Sequence, residues 1–271
     1  YNTLPGYKAS SDFKEFKFLS DLECELILNI RSNLGIGLGI EYLFKANTGK
    51  GTHEYDESIL YWLGTYDISQ SYSSEVKYDV SAIPISFSVN YSFFQRQRTN
   101  LFLLGSVGYY LGKITITDNN VYQEKDAYNP KNYLKDLYQK SYNSRSATNV
   151  RCNSIGFYSG LGFEFIFVRK LALTSEIIYR FANFNNWKGD WENNKSWKES
   201  YWLENYGDIF SYSGNETETI KDGSLWYYED KISARKNLVL RKNKPSIDLN
   251  AREAKINLSG FAFRLGIKFL F

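Results

Sequence analysis

Methionine is absent from the 271 residues, histidine occurs once, and cysteine occurs twice. So few imidazole and thiolate ligands exclude the usual zinc sites. Cys24 and Cys152 do not make a disulfide framework. Without methionine the chain is expected to lack its start codon, and any secretory leader to have been removed or never included. A net charge of +3 is too small to argue for nucleic acid as a partner. No run approaches the ~18 apolar residues of a membrane-spanning helix. Mean hydropathy is only −0.44, so a helical membrane protein is excluded.

What the chain has in excess is aromatic side chains, 18% of all residues, and they recur with a period of two. In SGFAFRLGIKFLF, Phe261, Phe263, Leu265, Ile267, Phe269 and Phe271 share one face. Gly260, Ala262, Arg264, Gly266 and Lys268 share the other. Period two puts these sets on opposite sides of a β-strand. The same alternation runs through LECELILNI and LGIGLGIEYLFKA, separated only by Arg31-Ser32-Asn33, which predicts a tight hairpin. IPISFSVNYSF and LFLLGSVGYYLGKITIT form a second hairpin, with Val107, Tyr109 and Leu111 facing out and Leu101 to Leu104 ambiguous in phase. IGFYSGLGFEFIF and LALTSEIIYRF form a third.

Seven strands are predicted, at about 20–30, 34–46, 76–94, 101–117, 153–167, 171–184 and 255–271. Their connections alternate strictly. Those at 31–33, 95–100 and 168–170 are short, whereas those at about 47–75, 118–151 and 183–254 are long and polar. That alternation matches an all-β, antiparallel up-and-down transmembrane barrel of the eight-stranded type, with short periplasmic turns and long extracellular loops in one domain, 1–271. The small, charged face carries Gly35, Gly37, Gly39, Gly156, Gly160, Gly162, Gly260 and Gly266, which predicts a narrow interior. Over the apolar stretches of the spans the large face has no Lys, Arg, Asp or Glu, as lipid requires. Because such barrels close with an even number of strands, a first strand is expected upstream of Tyr1. The alternative is an eighth position filled from 183–254 or by a neighbouring molecule. Residues 1–19 alternate too little to span, although Phe13 to Phe18 can extend the next strand upward.

The segments ELILNIRSNLGIGLGIEYL, SAIPISFSVNYSF, LFLLGSVGYYLGK, GFYSGLGFEF and FAFRLGIKFLF resemble the small outer-membrane β-barrel family of OmpA-type transmembrane domains, OmpW and opacity-type proteins. The likeness covers the strands and not the loops. It implies the outer membrane of a diderm bacterium, with lipid and lipopolysaccharide as surroundings. It also implies contact with the outer-membrane assembly machinery during biogenesis, through the terminal pattern Phe263, Leu265, Ile267, Phe269 and Phe271.

The interior face collects Glu23, Glu25, Glu41, Lys45, Glu164, Glu176, Arg180, Arg264 and Lys268. Opposite charges there can pair and fill the interior; the other use of such a set is an ion or proton path. His53 has Glu54, Asp56 and Glu57 beside it, but adjacent positions in a loop do not make a hydrolytic dyad, so no catalytic residue and no cofactor is expected. Cys24 and Cys152 sit at different heights and are expected as free thiols. All six tryptophans, Trp62, Trp187, Trp191, Trp197, Trp202 and Trp226, fall in the predicted loops. Exposed Trp and Tyr lead binding surfaces, and they also build small cores. The function expected is therefore a non-enzymatic barrel presenting an aromatic-rich extracellular cap for a surface protein, a glycan or a second copy. A narrow channel and a lipid-modifying enzyme are the alternatives.

Overall fold

The computed structural model describes residues 7–12, 20–61, 64–131, 134–168, 170–229, 236–245 and 251–269. Among them no helix is found. The strands are β1 (Tyr7–Asp12), β2 (Ser20–Arg31), β3 (Leu34–Tyr61), β4 (Gly64–Arg96), β5 (Thr99–Pro130), β6 (Asp136–Val168), β7 (Leu171–Phe184), β8 (Lys188–Leu203), β9 (Gly207–Glu229), β10 (Lys236–Arg241), β11 (Arg252–Glu253), β12 (Ile256–Asn257) and β13 (Gly260–Phe269). All their pairings are antiparallel.

Near the short turns, taken here as the lower end, the order is β2-β3-β4-β5-β6-β7-β13. Each predicted strand region is present in this row. No described pairing joins β2 to β13. The strands within 183–254 pair elsewhere, chiefly in the upper sheet. There the order becomes β1-β3-β4-β5-β6-β8-β9-β10. The change happens on β6, which pairs with β7 over Gly156–Val168 and with β8 over Asp136–Arg151.

The upper sheet corrects one expectation. Segments 47–75, 118–151 and 183–254 are mostly regular strand rather than loop, so that β3 to β6 run for 28, 33, 32 and 33 residues. Both faces of these extensions are polar or aromatic, so hydrophobic alternation does not reveal them. Their Ser, Thr, Tyr and Val content still favours extended backbone. Within the last of these segments the end of β9 pairs with β10, with Asn237 opposite Tyr228 and Arg241 opposite Ser224.

Alternation along the lower strands sorts the side chains as expected. Leu22, Leu38, Phe87, Val107, Leu161, Ile177 and Phe263 are exposed, and Phe261 reaches 82% exposure. Leu103 joins them while Phe102 and Leu104 are buried, which fixes the phase of early β5. Rings pair on this outer surface: Phe157 stacks on Phe181 at 5.0 Å, and Tyr179 meets Phe261 edge-on at 5.0 Å. Cys24 is exposed, Cys152 is buried, and both are free.

The inner surface is less polar than the glycine pattern suggests. Leu43, Tyr110, Ile114, Val150, Phe184 and Trp187 form one buried apolar cluster, joined by Leu225 and Leu240 from the β9–β10 hairpin. Asn186, at φ 61°, turns the chain after β7 so that Trp187 points inward; asparagine tolerates that region better than most residues. Gly112 leaves room for this cluster: a Cβ there would lie 2.8 Å from Phe184 and 2.9 Å from Trp187. Amides of Val121 and Asn143, paired across β5 and β6, should exchange far more slowly than loop amides. Hydrogen exchange read by mass spectrometry checks this.

Candidate functional site

Two regions gather polar chemistry, one in the lower interior and one on the inner face of the upper sheet.

The lower region is built around like charges that face each other. Glu23 on β2 lies directly opposite Glu41 on β3, an arrangement that repels unless a cation intervenes. Arg264 of β13 supplies it. Its guanidinium contacts Glu23 at 2.6 Å, Glu41 at 3.0 Å and Glu176 at 3.8 Å. Arg180 of β7 pairs with the same Glu41 oxygen. Arg264 also lies over the Tyr158 ring, 4.8 Å from its centroid, and the Tyr158 hydroxyl donates to Glu23 at 3.4 Å. Glu41, Arg180 and Arg264 are 2%, 5% and 9% exposed. A fork of fixed donors can hold two carboxylates at once, which a lysine cannot do with the same geometry.

Proline helps to set this site. In the β3–β4 ladder the register passes from Ile40–Ile85 to Leu43–Ala82, skipping the position where Pro84 stands across from Glu41. Proline has no N–H to donate, so the ladder opens beside the central carboxylate. Gly39 keeps the space clear, since a Cβ there would lie 2.9 Å from Ser86 Oγ and 3.5 Å from Glu23 Oε1. Below, Lys268 pairs with Glu164 at 2.7 Å, and Ser88 donates to Glu25. Lys45 faces the same interior, half-buried, and takes part in no described ion pair. Five of the nine predicted interior charges thus meet around Arg264, Lys268 and Glu164 form a separate pair, Glu25 bonds Ser88, and all nine face inward.

The tryptophans divide. Trp187 is 2% exposed and belongs to the inner cluster, so the expectation that it presents a binding surface is corrected. Trp191 packs against the same cluster. Trp226 is half-buried, and its indole N–H donates to the Arg241 carbonyl at 3.4 Å. Trp202 is exposed. Trp62 and the terminal Phe271 lie outside the described residues. Phe263, Leu265, Ile267 and Phe269 of the terminal pattern are all exposed on the outer face.

Trp197 begins the second region. Register alone places His53, Tyr72, Tyr122, Tyr142, Trp197 and Gly214 in one cross-strand row over β3, β4, β5, β6, β8 and β9. Sequence reasoning missed this row, because its successive members are 17 to 55 positions apart and only the pairing aligns them. The phase of β3 places it on the side that continues the lower interior. The row below holds Ser74, Asn120, Ser144 and Lys195, and the row above holds Gln70, Glu124, Lys140 and Glu199. The Tyr72 hydroxyl donates to Asn120 at 2.6 Å, and Lys195 bonds Glu218 at 2.7 Å. No His, Cys, Asp or Glu group able to hold a metal ion occurs among the described residues. No family model matches the chain, and no curated protein or solved structure matches it either.

Two phenols converge on Glu199: Tyr138 donates at 2.6 Å, and Tyr212 donates as well. These bonds, Tyr138's first, favour the charged form and hold the Glu199 carboxyl below its ordinary value. The same bond pushes the Tyr138 phenol up. A depressed carboxyl contributes stability at neutral pH and loses it as pH falls through its folded-state value. Replacing Tyr138 with Phe should move the Glu199 titration upward, read by carboxyl NMR of labelled protein. In the lower region, Arg264→Leu leaves Glu23, Glu41 and Glu176 with Arg180 as their nearest described cation, paired to Glu41 alone, and should cost about 3–5 kcal/mol, measured by denaturant unfolding in detergent.

Proposed function

We propose that the chain is a non-enzymatic outer-membrane β-barrel protein, with its lower strands in lipid and its upper sheet presented outside the cell for binding or assembly. One observation carries this reading: on seven neighbouring strands the large apolar side chains face out, while Glu41, Glu164, Arg180 and Arg264 are buried. In water that arrangement would be inverted, with charges solvated and rings packed inside. The outward belt is also of bilayer size. On β5 it is free of charge from Leu101 to Leu111, and the next outward residue is Lys113. On the neighbouring strands Asp79 and Arg151 appear outward near the same height. Such a span of a tilted strand is roughly 25 Å tall, matching the apolar band of outer-membrane barrels.

The inner cluster of Leu43, Tyr110, Phe184, Trp187, Leu225 and Leu240 sits above the ion pairs. A filled interior speaks against conduction, so the channel reading ranks second. Planar-bilayer recordings of the purified protein should show no steady conductance.

Leu161→Arg tests the reading directly. Leu161 is exposed, so in a water-facing sheet the change should be within about 0.5 kcal/mol of neutral. Facing lipid, it should cost ~2–4 kcal/mol. Urea unfolding in lipid vesicles distinguishes the two outcomes, and a neutral result would overturn the membrane assignment.

A further inference from the structure

The row His53, Tyr72, Tyr122, Tyr142, Trp197 lies on five adjacent strands. Neighbouring strands are ~4.8 Å apart, so the rings are carried along a line of roughly 19 Å. Tyr72 is exposed, and Tyr122, Tyr142 and Trp197 are half-buried. Gly214 ends the row because Trp197 lies over it: a Cβ there would come within 2.7 Å of the indole Cε2.

The character of the flanking rows decides what such a strip can hold. Neither the row above nor the row below contains Leu, Ile, Val or Met. A protein partner would ask for an apolar interface centre. Here the rings are bordered by amides, hydroxyls and a few charged groups that already satisfy each other, such as Lys195 with Glu218 and Glu199 with Tyr138. Cations and carboxylates alternate, so no field of one sign would draw a polyanion.

We propose that this strip is a binding site for a neutral, linear oligosaccharide. A pyranose with equatorial hydroxyls offers C–H groups on its faces and donors and acceptors around its rim. The faces match the rings, and the rim matches Ser74, Asn120, Ser144, Gln70 and Lys140. The proposal deepens the reading of a surface-exposed binding sheet and rests on it only for the side of the membrane on which the sugar is met.

The test uses the full chain in detergent micelles, with cellohexaose and chitohexaose as probes, heparin as the anionic control, and tryptophan fluorescence and calorimetry as readouts. Saturable binding of at least one neutral hexasaccharide is expected. Tyr122→Ala/Tyr142→Ala should weaken it at least tenfold, as should Gly214→Leu, which displaces Trp197. Tyr142→Phe keeps the ring and should stay within a few-fold of the parent, while Tyr109→Ala on the outer belt should change nothing. Circular dichroism and heat-modifiable gel mobility identify any variant that has not folded. Absence of binding by both neutral sugars, binding of heparin alone, or binding that survives both Tyr122→Ala/Tyr142→Ala and Gly214→Leu overturns the proposal. So does sugar-independent dimerisation, seen by sedimentation, that the same variants abolish; that result makes the strip a contact between copies. Protease shaving of whole cells addresses the orientation separately, so failure of sugar binding and failure of the surface reading give different results.

Discussion

Arg264 stands on the last strand of the lower row, yet the carboxylates it holds stand on the first two, Glu23 of β2 and Glu41 of β3. A flat seven-stranded sheet would keep these groups far apart. The guanidinium can reach both only if the sheet curls until its two edges face each other. The like-charged pair Glu23–Glu41 is the reason the contact is needed, because without a cation it would drive β2 from β3. Curling in turn sets which face is concave and hence which residues have room. Glycines and serines lie beside the ion pairs, and the bulky rings are directed outward.

The same curvature makes a second, apolar seal possible. Once the chain has narrowed around the Arg264 cluster, Phe184 and Trp187 stack at 5.5 Å above it, and Tyr110 meets Phe184 edge-on at 6.1 Å. The β9–β10 hairpin drops Leu225 and Leu240 onto these rings. Backbone bonds fix the hairpin there: the Leu225 N–H donates to the Trp187 carbonyl at 3.0 Å, and its carbonyl accepts from Ala254 at 2.9 Å. A polar layer and an apolar layer thus fill the inner side in series.

Much of the lower row was legible because its code is binary. Leu, Ile and Phe alternate with Gly, Ser and Glu, and a single phase assigns most side chains to a face, the leucine-rich start of β5 excepted. The interior charges were legible for the same reason. The upper sheet was not, since a strand such as 119–127 is polar on one side and polar or tyrosine-bearing on the other, leaving no hydrophobic period. Trp187 was misjudged because its direction depends on the left-handed turn at Asn186, which composition does not report. The aromatic row escaped because it exists only across strands: Tyr72 and Tyr122 are neighbours by register, not by sequence.

The exchange of partners on β6 separates two duties within one continuous strand. From Gly156 downward β6 is committed to β7; from Arg151 upward it is committed to β8. Residues 188 to 229 therefore join the ladder of long strands only through the upper half of β6, with their own turn at 204–206 and their own register, while Leu225 also rests on the inner cluster. Exchange of that appendage for another hairpin pair of equal pitch would leave the lower row's pairing untouched. The fold thus has a built-in junction, at which the upper sheet can be remodelled while the strand pairing beneath it stays the same.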